Sequence, residues 1–121
     1  MIISKKIEKG KSGVYAIKNK TNKKIYIGQS ENLYMRYQSH KSALKAGRHP
    51  NREMQNDYNK RHILVFYPLE TIESHGSRKR LEKENYYLSC YAFKGIELYN
   101  SGCKEHYYER YFAYASSKMK I

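Results

Sequence analysis

A carboxylate, an arginine, a histidine and two phenols occur in this chain at spacings that could gather them: Glu84, Arg36, His40, Tyr15 and Tyr26. Glu84 shares a helical stripe with Leu81, Leu88 and Tyr91, whereas its neighbour Glu82 points elsewhere and can be solvated. A carboxylate on an apolar face is expensive unless something compensates it. Two compensations stand open: an ion pair with Arg36 or His40, or a divalent cation at the rim of a basic cleft. Arg36 and His40 lie at i and i+4, on nearly the same side of a helix whose buried positions are Leu33, Tyr37, His40 and Leu44. A histidine in such a stripe is ordinarily a satisfied core residue. Two cations facing one carboxylate and two phenols are denser polarity than a small core tolerates. The set suits phosphodiester hydrolysis, which needs a nucleophile activator, a metal ligand and a cation to neutralise the pentavalent phosphate.

The elements that must position these groups start with Gly13-Val14-Tyr15 and Tyr26-Ile27-Gly28, two β-rich stretches separated by the polar turn Lys20-Thr21-Asn22-Lys23. If those four residues form the loop, Asn19 faces Lys24 and Tyr15 lies opposite Gly28. Tyr15, Ile17, Tyr26 and Gly28 then share one face of a hairpin, with the glycine leaving room for a backbone or a ligand. Before the hairpin, Ile2, Ile3 and Ile7 sit in a basic lead-in and can add a short strand. After it, Ser30 or Asn32 caps a helix to about Lys45 or Ala46, and Gly47 ends it. His49-Pro50-Asn51 is a break before a polar helix from Arg52 to Lys60. Ile63 to Glu70 is a strand whose Pro68 predicts an edge position or a strand end. Ser77 is placed as the N-cap of a helix to about Tyr91, Leu98-Tyr99-Asn100 as a short extended piece, and Lys104 to Ser116 as a last helix.

The chain has 121 residues and a formal net charge of +13, from 24 Lys and Arg against 11 Asp and Glu. One domain, residues 1–121, is expected at this length. The charge calls for a polyanionic partner, and nucleic acid is favoured over a membrane because no stretch is long and apolar enough to span a bilayer. The first residues lack a signal-peptide core, so an intracellular protein with reduced Cys90 and Cys103 is expected. Fourteen tyrosines and no tryptophan suit a surface that packs and still offers hydroxyls to phosphate.

In order along the chain, Gly13-Val14-Tyr15, Tyr26-Ile27-Gly28, Arg36-x-x-x-His40, Glu84 and Asn100 resemble the five motif positions of the GIY-YIG nuclease superfamily. Val14 in place of isoleucine is the one departure, and it is conservative. The stretches 43–51 and 57–60 resemble the phage and intron-encoded homing branch, which often has a histidine at the place of His49. The long linker and separate DNA-binding region usual in that branch are not evident, which leaves site specificity open. The resemblance, from about residue 12 to 101, implies a small α/β (α+β) fold: a three-stranded sheet flanked by helices, here with an extra C-terminal helix. It implies a DNA endonuclease using one Mg²⁺ or Mn²⁺ ion, with Glu84 as the metal ligand and Arg36 on the scissile phosphate. Tyr15 or Tyr26 would orient or deprotonate water, helped by His40, and Asn100 would fix the local network. Gly13 and Gly28 are the structural motif positions. A tyrosine base needs nearby positive charge to lower its pKa, which Arg36, the metal and the lysines can supply. His49, Lys24, Arg48 and Arg52 are expected DNA contacts. The expected partner is DNA, double-stranded or branched, with the oligomeric state left open between a monomer and a transient dimer on the DNA. A structure-specific repair or recombination nuclease and a catalytically silent DNA-binding module are the alternatives.

Overall fold

The computed structural model describes residues 1–73 and 76–100. The chain runs β1 (Ile2–Ile3), β2 (Gly13–Asn19), β3 (Ile25–Ser30), α1 (Leu33–Lys45), α2 (Arg52–Asn59), β4 (Leu64–Thr71) and α3 (Ser77–Phe93). The strands form one sheet in the order β1-β4-β2-β3, with β2 antiparallel to both neighbours and β1 parallel to β4. The sheet has four strands where three were expected. The extra one is the two-residue β1, paired at Ile2–Val65 and Ile3–Phe66.

The hairpin has the register that a four-residue loop dictates. Tyr15 pairs with Gly28 and Ile17 with Tyr26, so both phenols occupy one face. Asn19 sets the turn. Its backbone N–H donates to the Lys24 carbonyl (2.8 Å), and its side-chain oxygen accepts from the Thr21 and Asn22 amides (2.8 and 3.2 Å). Such Asx contacts stabilise a turn by satisfying amides that the ladder leaves unpaired.

The alternation along β2 divides the interior into two cores. Tyr15 and Ile17 pack with Leu33, Tyr37, Leu44, Met54, Leu64 and Phe66 beneath α1 and α2. Val14 and Ala16 pack with Ile25, Ile27, Ile72, Leu88 and Ala92 beneath α3. The buried side of α1 is Leu33, Tyr37, His40 and Leu44, as the helical spacing predicts, with Asn32 as its cap. Asn51 caps α2 by accepting from the Met54 amide.

Pro68 meets the edge expectation locally, and two other local expectations change. Pro68 pairs opposite Tyr15, beside a register shift between Val14 and Tyr15, and the strand continues to Thr71. It is tolerated there because β1 reaches only Val65 and Phe66, leaving that edge of β4 outside the ladder. Ser77 begins α3 without capping it, since Gly76 takes the cap position with no side-chain bond. Leu81 is exposed, because α3 meets the sheet later, at Leu88 and Ala92. The helix expected over 104–116 lies outside the described residues. No helix among the described residues is long and apolar enough to cross a membrane.

Candidate active site

The face of the hairpin that carries Tyr15 and Tyr26 receives His40 from α1. The rings of Tyr15 and Tyr26 lie 6.3 Å apart, and His40 meets both edge-on at 5.4 and 5.6 Å. Tyr15 is fully buried and stacked on Phe66 at 4.7 Å, whereas Tyr26 is only half-buried. The Tyr15 hydroxyl lies 2.7 Å from His40 Nε2, and His40 Nδ1 lies 2.7 Å from His49 Nε2. The Asn51 backbone N–H donates to His49 Nδ1 at 3.0 Å. The two imidazole planes lie within 21° of parallel, with their centres 5.0 Å apart. Arg36 is exposed, yet its charge reaches the Tyr15 hydroxyl and opposes the rise that burial gives that phenol. Tyr15 and Tyr26 act on each other, and the Glu84 carboxylate acts on both phenols. Tyr15, Tyr26, Arg36, His40 and Glu84 therefore form one electrostatic cluster drawn from β2, β3, α1 and α3.

Two sequence expectations about charge are corrected. His40 is not a second cation. Burial, reinforced by His49 and Arg36, pushes it down to about 3 from its ordinary 6.5, so it is neutral at physiological pH. Nor do the protein's own cations lower the phenols. Burial raises Tyr15, Tyr26 adds to that, and Arg36 only opposes it; Tyr26 is raised by burial and then by Glu84, again against Arg36. Removing a phenol from water costs its charged form more than one rim arginine restores.

Gly28 does not make room for a ligand. A methyl there would overlap Oη and Cζ of Tyr15 and sit 2.9 Å from its Cε1, so the neighbouring ring fills the space. Gly13 is required by backbone instead: a methyl would overlap the Glu70 carbonyl oxygen and sit 3.0 Å from Thr71 Cα. Asn100 does not touch the phenols. Its amide accepts from Ile27 N–H (2.9 Å) and donates to Ile27 C=O (2.8 Å), imitating one residue of a partner strand on the outer edge of β3. The contact lies between Tyr26 and Gly28.

The expected DNA contacts divide. Arg48 and Arg52 are exposed. Lys24 is engaged by Glu53 and, at 3.6 Å, by Glu97. His49 is buried, with both ring nitrogens engaged, because Gln55 holds its loop by accepting from the His49 amide (2.9 Å) and donating to the Leu44 carbonyl. Sequence reasoning missed Gln55 and the second role of Asn51, although a polar residue ahead of a helix was a legible cap. It also missed Arg80, which is buried one turn before Glu84 and donates to Gln29 and to the Gly76 carbonyl at 2.9 and 3.1 Å. Among the described residues, no group of three or more His, Cys, Asp or Glu side chains gathers into a metal site. A lone carboxylate still fits a hard divalent cation of the magnesium type, which keeps most of its waters and takes further oxygens from a phosphate.

The sheet, its two helical layers and this cluster define a small α/β catalytic domain. Residues 11–100 match the GIY-YIG catalytic domain, and the chain belongs to that family. It is 35% identical over 80 residues to Intron-associated endonuclease 1 of Enterobacteria phage T4, a match spanning 64% of this chain and 32% of that protein. The chain thus spans about a third of that relative's length. The catalytic domain of homing endonuclease I-TevI superposes with a TM-score of 0.63 at 25% identity, covering 74% of this chain and 99% of that one. A mutant form of the catalytic domain of intron endonuclease I-TevI gives a TM-score of 0.59 at 30% identity, covering 64% and 80%.

Proposed function

We propose that the protein is a DNA endonuclease of homing or phage type that hydrolyses one phosphodiester bond per site with a bound Mg²⁺ or Mn²⁺. The observation that carries this reading is the joining of Tyr15, Tyr26, Arg36 and Glu84 into one electrostatic cluster at the edge of the hairpin. Arg36, exposed beside the phenols, binds the scissile phosphate and stabilises the charge that develops on it. Tyr26, half-buried where Tyr15 is fully enclosed, presents its oxygen to the attacking water. Tyr15 stands beside Tyr26, with the two rings 6.3 Å apart. Glu84 would hold the metal, which when bound would supply Lewis-acid stabilisation of charge on the phosphate.

The duplex approaches over α1, which carries no acidic residue and exposes Arg36, Lys41 and Lys45, with Arg48 just beyond it. Such crowding of like charge favours a polyanionic partner. The test is nicking of supercoiled plasmid in Mg²⁺, in Mn²⁺ and in EDTA. Arg36→Ala should lose about 10²-fold or more in rate while melting near the parent temperature. Equal nicking by parent and variant would remove Arg36 from the chemistry.

A further inference from the structure

His49 lies a full ring behind His40, away from the phenols, and the function proposed above leaves it without a task. Its surroundings fix its proton. The Asn51 backbone N–H can only donate, so His49 Nδ1 accepts, and the neutral ring carries its hydrogen on Nε2. That hydrogen points at His40 Nδ1, 2.7 Å away, which must then accept. Neutral His40 is left with Nε2–H, aimed at the Tyr15 hydroxyl at 2.7 Å. The Tyr15 oxygen therefore accepts from His40, and its own hydrogen is left for a partner other than His40.

We propose that His49 is a positioning residue: held by the Asn51 amide, it dictates the tautomer of His40 and aims an unbroken run of donors at the Tyr15 oxygen. The run is Asn51 N–H to His49, His49 to His40, and His40 to Tyr15. Its origin is a backbone amide, which cannot reverse direction. Without His49, His40 can place its hydrogen on either nitrogen. In the Nδ1–H form, His40 Nε2 accepts from Tyr15, so the Tyr15 oxygen loses its donor and its hydrogen is spent on His40. Gln55 supports the arrangement by fixing the backbone of His49, as outer partners fix the rings of metal-bound histidines.

This proposal rests on the nuclease reading, and its first test does not use activity. Long-range nitrogen–proton correlation of the histidine rings in the parent protein should show both His40 and His49 as Nε2–H tautomers. In His49→Leu, His40 should become a mixture. Single-turnover nicking of supercoiled plasmid should fall by ~10–100-fold in His49→Leu, with affinity for the plasmid unchanged. His49→Gln, whose amide can place an N–H near the lost Nε2–H, should restore most of the rate. Finding His40 as Nδ1–H in the parent overturns the proposal without any variant. So does a His49→Leu rate loss wholly explained by weaker DNA binding, which is the phosphate-contact role, or a His49→Gln that is no better than His49→Leu. A parent with the expected tautomers that does not nick DNA in either metal overturns the nuclease reading, and the positioning role with it.

Discussion

Replacing Gly28 by alanine tests whether the glycine is there to admit the Tyr15 ring. The added methyl would overlap Oη and Cζ and press on Cε1 at 2.9 Å. Tyr15 cannot retreat, being fully buried and stacked 4.7 Å from Phe66. Overpacking of this kind costs about 1–3 kcal/mol. Displacing Oη also breaks its 2.7 Å contact with His40, a buried bond whose loss costs about 1–3 kcal/mol more. The expected sum is roughly 2–6 kcal/mol, a melting point lower by on the order of 10 °C or more. Thermal or urea unfolding reads it directly, and a double-mutant cycle assigns it. In a Tyr15→Leu background the ring is gone, so Gly28→Ala should cost far less, giving a coupling of ~1–3 kcal/mol. Gly13→Ala is the control: its obstacle is the Glu70 carbonyl and Thr71 Cα, so its cost should be additive with Tyr15→Leu. If Gly28→Ala costs as much with leucine at position 15 as with tyrosine, the ring is not the obstacle and the steric account fails.

Glu84→Gln should abolish cleavage and any upward shift of the melting point by Mg²⁺ or Mn²⁺, since a ligand stabilises only the state that binds it; a variant that still nicks in Mg²⁺ removes the metal role. Tyr26→Phe should slow single-turnover nicking more than Tyr15→Phe, because Tyr26 is half-buried and Tyr15 fully enclosed; the reverse order would make Tyr15 the water-facing phenol. His40 has a folded pKa of about 3 against 6.5, so the unfolded chain binds the extra proton first as pH falls. Its contribution should be complete above the unfolded value and be lost from there down towards pH 3 at up to ~1.4 kcal/mol per pH unit, which melting curves across that interval would show as a slope absent from His40→Gln. Binding to random-sequence duplex should weaken steeply with salt, and Lys41→Gln and Arg48→Gln should each lower the slope of log K against log salt by about one.

The sequence disclosed the hairpin register, the inward stripe of α1 and the ordered set of motif residues, because each depends on local periodicity or turn length. A four-residue turn leaves one parity for Tyr15 and Gly28, and the structure has it. What spacing does not carry is the state of charge after burial. Arg36 and His40 project from similar positions on α1, yet one stays exposed on the rim while the other loses its charge inside. His49 posed the same problem more sharply. A histidine beside Arg48 in a basic loop looks like a phosphate contact, and only the fold shows Gln55 and Asn51 drawing it inward. Arg80 was invisible for the opposite reason, since a buried arginine is improbable until Gln29 and the Gly76 carbonyl are known to be near it.

The placing of Asn100 explains why a residue distant from the phenols can belong to the same motif set. An outer strand has an unpaired edge, and β3 carries Tyr26 in its second position. The segment after α3 covers that edge. Ile25 is paired with Leu98, the Tyr99 amide donates to the Ile25 carbonyl, and Asn100 binds both polar groups of Ile27. Tyr99 fixes the segment from its other side. Its hydroxyl donates to Asp57 at 2.5 Å and accepts from Asn19, while Asn51 donates to its carbonyl. The covering segment is thus tied to the hairpin turn through Asn19 and to the histidine loop through Asn51. One cap residue serves both: its backbone orients His49, and its side chain holds the chain that holds β3. A side-chain substitution at Asn51 keeps the amide that orients His49 but releases the Tyr99 carbonyl, so it should reach Tyr26 through the strand that bears it.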